Sequence, residues 1–363
     1  MKGRNHGMAY KALILTVMAA AGVMVFLPAG SAGPQTAQDV RSLSLEEIAR
    51  QKSHHGDGVF INPFAEFPIH RRNFMEILRW KLFTKNRFEE DYAREKVVPV
   101  HIDWKALAQH HSVSLTWITH AAVHIKENGS SLIVDPVLSG LFWPVRDCTP
   151  LAFPPSDIPP VDAVLVTHGH YDHLDIDSLK LLRGRARYFV PLGYAGLLQE
   201  HGMTGVQEMD WMDTAKAGAF EITFLPANHW SMRNPFTGPN TALWGAYLVK
   251  TSSGKTIFIS GDTAYFDRFR EIGAMGPIDL AVINLGAYEP RWFMKRSHMN
   301  PEETVRAFKE LGARKLLVVH WGTFRLGDEP VFQPLLDIRQ EMASAGLSEK
   351  LVELGHGQTY HFD

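Results

Sequence analysis

The stretch VTHGHYDHLD, residues 166–175, carries His168, His170, Asp172 and His173 in the pattern His-x-His-x-Asp-His. Neutral imidazoles and a carboxylate gathered on one short loop are borderline-soft N and O donors. That donor set holds zinc or a neighbouring first-row metal. One ion cannot readily use all four side chains at this spacing, so the motif divides: His168 and His170 toward one ion, Asp172 and His173 toward a second. The single cysteine, Cys148, leaves neither a disulfide nor a thiolate cluster open to the chain, so any metal must be held by His, Asp or Glu.

The elements that must position these donors are β-rich. SLTWIT, AAVHIK and SSLIVDP read as short strands from about residue 114, the last two joined by the Asn-Gly turn of ENGSS. VDAVLVTH is a near-continuous apolar run, the signature of a strand buried on both faces, and it ends in the motif. IDSLKLL reads as helix. ARYFVPLG, FEITFLPANHW, ALWGAYLVK, KTIFISGDT, PIDLAVINLG and KLLVVHWG read as further strands. NPEETVRAFKELG has the marks of a helix: Asn300 as N-cap, Pro301 first, Glu303 third and Gly312 at the end. His229, Asp262 and His320 each lie just past a strand, where α/β folds build their sites. Singly, each is an ordinary hydrogen-bonded or turn residue; beside the quadruple motif they become candidate ligands. SSGKT, which ends like a phosphate-binding loop, lacks the required glycine (Val249 stands there) and sits in a hairpin turn.

The 363 residues are 45% hydrophobic and 21% charged, ordinary globular composition, and a net charge of -2 gives no footing for nucleic acid. The start is different. Lys2, Arg4 and Lys11 precede a run without charge that lasts until Asp39, and small residues close it at AGSAG. Residues 1–33 therefore read as a signal peptide or an N-terminal membrane anchor, and the protein as exported to the cell envelope. Residues 34–57 read as a linker with a short helix capped by Ser44 and Glu47, His54 and His55 as a polar loop, RRNFMEILRWKLF as a helix, and 58–363 as the main domain.

Several longer stretches carry a family resemblance: IPPVDAVLVTHGHYDHLD, FVPLG, LWG, GDTAYF, LGAYEPRWFMKRSHMNPEETV and HWGTF, with FINPF near the start. The chain resembles the N-acylphosphatidylethanolamine-hydrolysing phospholipase D family of metallo-β-lactamase-fold hydrolases, from about residue 58 to the C-terminus. The resemblance implies an αββα sandwich, two mixed sheets face to face with helices outside and metals along one edge. It implies two zinc ions per chain, and the donors equally accept iron or manganese. His168, His170 and His229 would hold the first; Asp172, His173 and His320 the second; Asp262 would bridge both. The catalytic roles fall to Asp172, Asp262 and His298, with metal-bridged hydroxide attacking phosphorus to give N-acylethanolamine and phosphatidic acid. His298, two residues before the N-cap Asn300, would contact the phosphate or protonate the leaving alkoxide, or serve structure alone.

Trp292, Phe293 and Arg296 in EPRWFMKR combine apolar surface with cations, as a phospholipid at a membrane surface requires, or form a buried aromatic cluster with a basic edge. Asp135 and Asp175 would either accept from ligand imidazoles or serve as turn residues. His120 matches the family without an assigned role. The resemblance also implies a homodimer. The competing functions are a lactonase or a small phosphodiesterase of the same fold, and a non-catalytic metal-bearing envelope protein; a bridged centre left open to water favours the enzymes.

Overall fold

The computed structural model describes residue 40 and residues 42–65, 76, 79–80, 83–142, 145–182, 184, 186–234 and 236–362. The expected leader and most of the expected helix RRNFMEILRWKLF lie outside the described residues. Among the described residues no helix is long and apolar enough to cross a membrane.

Two seven-stranded sheets make the body. The first contains β1 (Ser114–Thr119), β2 (Ala122–Glu127), β3 (Ser130–Val134), β4 (Ala163–Leu165), β5 (Arg187–Pro191) and β6 (Val206–Met209). The second contains β7 (Thr214–Ala217), β8 (Phe220–Leu225), β9 (Ala246–Thr251), β10 (Thr256–Ile259), β11 (Leu280–Asn284), β12 (Lys315–Val319) and β13 (Leu351–Val352). β14 (Thr359–His361) returns to the first, giving the orders β14-β1-β2-β3-β4-β5-β6 and β13-β12-β11-β10-β9-β8-β7. Each sheet is mixed in the same way: an antiparallel meander, then parallel strands from β3 to β6 and from β10 to β13. Parallel neighbours need crossovers, and helices supply them on the outer faces.

The alternation of side chains along a strand explains the layers. In β3 and β4, Leu132, Val134, Ala163 and Leu165 face the second sheet, where Phe224, Tyr247, Val249 and Phe258 meet them. Ile133 and Val164 point the other way, onto Leu174 and Leu179 around helix α3 (Ile176–Leu181). Strands covered on both faces carry apolar residues at every position, as the run VDAVLV does. The Asn128-Gly129 turn takes positive φ at both residues, the left-handed geometry that matches strand twist. α7 (Pro301–Leu311) has its capping box at Asn300 and Glu303 and ends at left-handed Gly312; it follows α4 (Ala195–Glu200), α5 (Phe269–Ala274) and the single turn α6 (Arg291–Met294), and precedes α8 (Gln333–Ser344).

Residues 34–57 were expected as a linker with a short helix; the helix is α1 (Leu45–Gln51), with the expected Ser44–Glu47 capping box, and it buries Leu45 and Ile48 in the main core. α2 (Trp104–Gln109) comes later, just before β1. His54 and His55 lie in the expected loop, and His55 is exposed there, but His54 is not. His54 is fully buried and stacks on Trp211, and its Nε2 lies 2.6 Å from Asp210 Oδ1; His55 Nε2 lies 2.9 Å from Oδ2, which Lys52 also reaches. Burial alone would raise the Asp210 carboxyl, but the hydrogen bonds from His54 and Lys52 outweigh it and hold the group below the usual carboxylate range.

A depressed acid contributes stability above its unfolded pKa of about 4, and that contribution fades as pH falls toward the folded value. Asp210→Asn should therefore destabilise the protein by about 3 kcal/mol at pH 7, since it strands buried His54, and the gap to the parent should narrow as pH falls below about 4. Denaturant titrations at both pH values check this; a gap independent of pH would show that the charge is not what matters.

Candidate metal centre

Every donor of the motif leaves a strand end on the same edge of the sandwich. His168, His170, Asp172 and His173 follow β4, His229 follows β8, Asp262 follows β10 and His320 follows β12. The folded chain brings all seven together. Two groups form within metal-holding reach: His168, His170, His229 and Asp262, and His120, Asp172, His173 and His320. Asp262 joins them. Its Oδ2 lies 3.3 Å from His173 Nε2, 3.8 Å from His168 Nε2 and 3.9 Å from His229 Nε2, and its Oδ1 lies 3.3 Å from His320 Nε2. Asn284, at the end of β11, donates to Oδ1 at 3.0 Å and fixes the carboxylate.

The tautomers follow from the outer partners. His229 Nδ1 faces the Ser297 carbonyl at 3.0 Å and must donate to it. His173 Nδ1 donates to Asp135 Oδ2 at 2.8 Å. Thr167 gives its hydroxyl proton to Asp135 at 2.6 Å, so His168 Nδ1 is the donor to Thr167 Oγ1 at 3.0 Å. Each of these three rings thus turns an Nε2 lone pair inward. Those of His168 and His229 both face His170 Nδ1, at 2.9 and 3.3 Å. The Nε2 atoms of His173 and His320 are buried without a hydrogen-bond partner. Lone pairs converging on a buried point beside two carboxylates are an arrangement that a cation completes, and outer acceptors that fix the tautomer are usual around bound metal. The residues fit the divalent metals implied by the sequence. A third cluster, His54, His55 and Asp210, does not: Lys52 already supplies its cation and both inward nitrogens are paired.

Electrostatics agrees. Burial pushes His168 and His229 well below the ordinary imidazole range, and His170 and His298 down to about 4, which keeps these rings neutral. Burial works to lower His173 too, but Asp262, Asp172 and Asp135 outweigh it and raise that ring. Asp172 and Asp262 would be raised by burial, yet the surrounding imidazoles hold both carboxyls well below their usual range. Negative charge is thus stored in the centre, balanced by groups that a metal would replace.

Backbone strain concentrates here. His120, Asp135, Ala287 and His320 all take positive φ, a conformation that non-glycine residues hold only where surrounding contacts enforce it. Gly286 shows how tight the packing is: a Cβ there would sit 2.3 Å from the His320 carbonyl oxygen and 2.9 Å from its Nδ1. Gly286→Ala should displace His320 and lower hydrolysis by about 100-fold or more, the scale of an ångström misplacement. Turnover and metal per chain measured on that variant check it; parent values for both would show that the loop yields without moving the ligand.

Asp135 sits where an imidazole acceptor is needed. Asp175 does not: it is the N-cap of α3, accepting from Asp177 N and Ser178 N, so of its two expected roles the turn residue is the one observed. His298 comes to the rim, its Nδ1 3.9 Å from Asp262 Oδ2 and its ring 5.5 Å from that of His229, while Arg291 grips the His298 carbonyl at 2.9 Å. Trp292 and Phe293 on α6 form an aromatic lobe with Trp80, at ring separations of 5.9 and 5.2 Å, and Arg296 follows, half-buried. The sequence reading missed two residues beside the motif. Trp230 stands edge-on to His170 at 4.5 Å, and Arg233 lies over the Tyr171 ring at 4.0 Å while donating to the Leu174 carbonyl. Their closeness to His229 in sequence was the only available signal.

Two mixed sheets flanked by helices, with an imidazole and carboxylate centre on one edge, define a metal-dependent hydrolase of the metallo-β-lactamase type. The chain belongs to the β-lactamase superfamily: the profile Lactamase_B_2, the β-lactamase superfamily domain, matches residues 131–321. It is 33% identical to an uncharacterised protein of Mycobacterium bovis, over 84% of this chain and 83% of that one. It is also 33% identical to N-acyl-phosphatidylethanolamine-hydrolyzing phospholipase D 1 of Caenorhabditis elegans, over 63% of this chain and 69% of the relative. A possible metal-dependent hydrolase from Veillonella parvula shares the fold with a TM-score of 0.58 at 17% identity, covering 69% of this chain and 100% of that one.

Proposed function

We propose that the protein is a zinc-dependent phospholipase D-type phosphodiesterase that hydrolyses N-acylphosphatidylethanolamine to N-acylethanolamine and phosphatidic acid. The observation that carries this reading is the similarity to the nematode phospholipase D in a chain whose centre has an aromatic ring, Trp230, and a cation, Arg233, beside His170. His168, His170 and His229 would hold one ion and Asp172, His173 and His320 the other, with Asp262 between them. When bound, such a pair supplies Lewis acidity and lowers the pKa of water toward neutrality.

The chain's own residues account for the rest. Water oxygen forms a bond to phosphorus, the bond from phosphorus to the ethanolamine oxygen breaks, and a proton passes to that oxygen. His298, on the rim 3.9 Å from Asp262, is placed to hydrogen-bond a phosphoryl oxygen or to carry that proton. Arg233 adds positive charge beside His170, suited to an anionic diester. Tyr171, within the motif, is 47% exposed, and Phe142 against it 52%; exposed aromatic rings beside a polar centre suit the acyl chains of a lipid presented at a membrane surface. The export-type leader would place that surface in the cell envelope.

The test incubates the metal-loaded protein with N-acylphosphatidylethanolamine in mixed micelles, with and without chelator, and identifies the products by mass spectrometry. Chelator-sensitive release of N-acylethanolamine together with phosphatidic acid is the expected result. No lipid turnover, with turnover of lactones or of a small aryl phosphodiester, would overturn the lipid assignment and leave the hydrolase class intact.

A further inference from the structure

We infer that His120 is a positioning residue of the centre: its Nε2–H holds Asp172 in its metal-binding orientation, and it is not itself a ligand. The inference rests on the site and on metal dependence, not on the identity of the substrate. His120 stands at the turn between β1 and β2, is fully buried and takes a φ of +45°. Three contacts impose that strained backbone. Its N–H donates to Thr323 Oγ1 at 2.9 Å, and its carbonyl accepts from Trp117 Nε1 at 2.7 Å and from the His320 N–H at 2.9 Å. Thr323 is itself fixed by Thr149 Oγ1 at 2.8 Å and Thr119 Oγ1 at 3.1 Å. A hydroxyl cluster and two tryptophan-flanked strands thus aim one imidazole at the centre.

The ring lies 4.0 Å from that of His320, and its Nε2 is 3.1 Å from Asp172 Oδ2. Proximity alone would fit a fourth ligand as well as a donor, but two observations favour the donor. First, the ligand candidates His168, His173 and His229 commit an outer Nδ1–H to Thr167, Asp135 or Ser297. The outer nitrogen of His120 is buried without an acceptor, so its proton belongs on the inner nitrogen, facing a carboxylate oxygen that can only accept. His170 and His320 share the unpartnered outer nitrogen, but His170 turns its Nδ1 to His168 and His229, and the Nε2 of His320 faces both carboxylates at 3.3 Å. Second, His173 and His320, which share a donor group with His120, each face both Asp172 and Asp262, whereas the close carboxylate of His120 is Asp172. One lone pair of Oδ2 takes the imidazole proton and another stays directed at the cation.

The experiment measures Zn2+ affinity by competition with a chromophoric chelator, and Co2+ spectra, for His120→Leu, His120→Gln and His120→Asn. Glutamine places an amide N–H near the imidazole Nε2 position; asparagine falls short of it. The expected result is that His120→Leu and His120→Asn weaken one of the bound metals about 10- to 100-fold, the usual scale for an outer partner of a ligand, while His120→Gln restores most of the affinity. Equal affinity in all three variants with lowered melting temperatures would reduce His120 to a structural residue. Equal loss in all three, glutamine included, with a changed cobalt spectrum, would make it a direct ligand; either outcome overturns the inference. If His120→Leu fails to fold, the glutamine and asparagine pair carries the comparison. Lipid turnover plays no part in the readout, so a failure of the substrate assignment leaves this test unaffected.

Discussion

Asp262→Asn is expected to lower kcat/KM by about 1,000-fold or more and to reduce the metal content of the chain. Asp262 sits at the junction of both donor groups, with the Nε2 atoms of His173 and His320 3.3 Å away and Asn284 hydrogen-bonded behind it. Its side chain is almost wholly buried. Asparagine keeps the volume but removes the charge, and one of its termini becomes a donor that faces imidazole nitrogens or the Asn284 amide. A bridging position lost in this way removes several kcal/mol of charge stabilisation, and each 1.36 kcal/mol is a factor of ten in rate. Asn284 supplies an internal control, since Asn284→Ala removes the hydrogen bond behind Asp262 without removing its charge. Metal analysis and steady-state kinetics on both variants decide the matter. Parent activity with full metal in Asp262→Asn would rule out a centre joined through this carboxylate.

Metal removal should cost stability as well as activity. The centre buries the imidazoles of His168, His173, His229 and His320 with two carboxylates, and buried charge and unpaired lone pairs are costly without a partner. Binding at a free metal concentration about 1,000 times Kd stabilises the folded state by roughly 4 kcal/mol. At about 2–4 °C per kcal/mol in larger domains, exhaustive chelation is expected to lower the melting temperature by roughly 10 °C, reversed by Zn2+ but not by Mg2+, whose preference is for oxygen donors. A melting temperature indifferent to chelator, in protein shown to have lost its metal, would mean that the donors are held by the fold alone. The Asp210 cluster should be untouched by chelation, because Lys52 provides its cation.

Much of this was legible in the residues. The quadruple motif after an apolar run marked both the chemistry and the strand that delivers it, since a strand buried on both faces writes itself as continuous apolar sequence and its donors must follow at its end. The N-cap, proline and glycine of α7 were readable because capping is local. The edge strands β6 and β7 were not: they are half-buried and polar on their open sides, so no alternation betrays them. Nor were β13 and β14, two and three residues long, which exist only because a neighbouring strand pairs with them.

By itself, then, the sequence marked the candidate donors, the division of the His-x-His-x-Asp-His motif and a layered α/β domain with mixed sheets, because ligand chemistry and strand burial are both expressed in residue type and spacing; the two-sheet sandwich was implied by the family resemblance. Only the tertiary structure decided the partners. Asp135 rather than Asp175 accepts from the His173 imidazole, His120 turns onto Asp172, and Arg233 comes close to the motif. His54 turns inward from its loop to pair with Asp210, 156 positions away. Such pairings join residues far apart in the chain, and a hydrogen bond between them leaves no trace in the spacing of either.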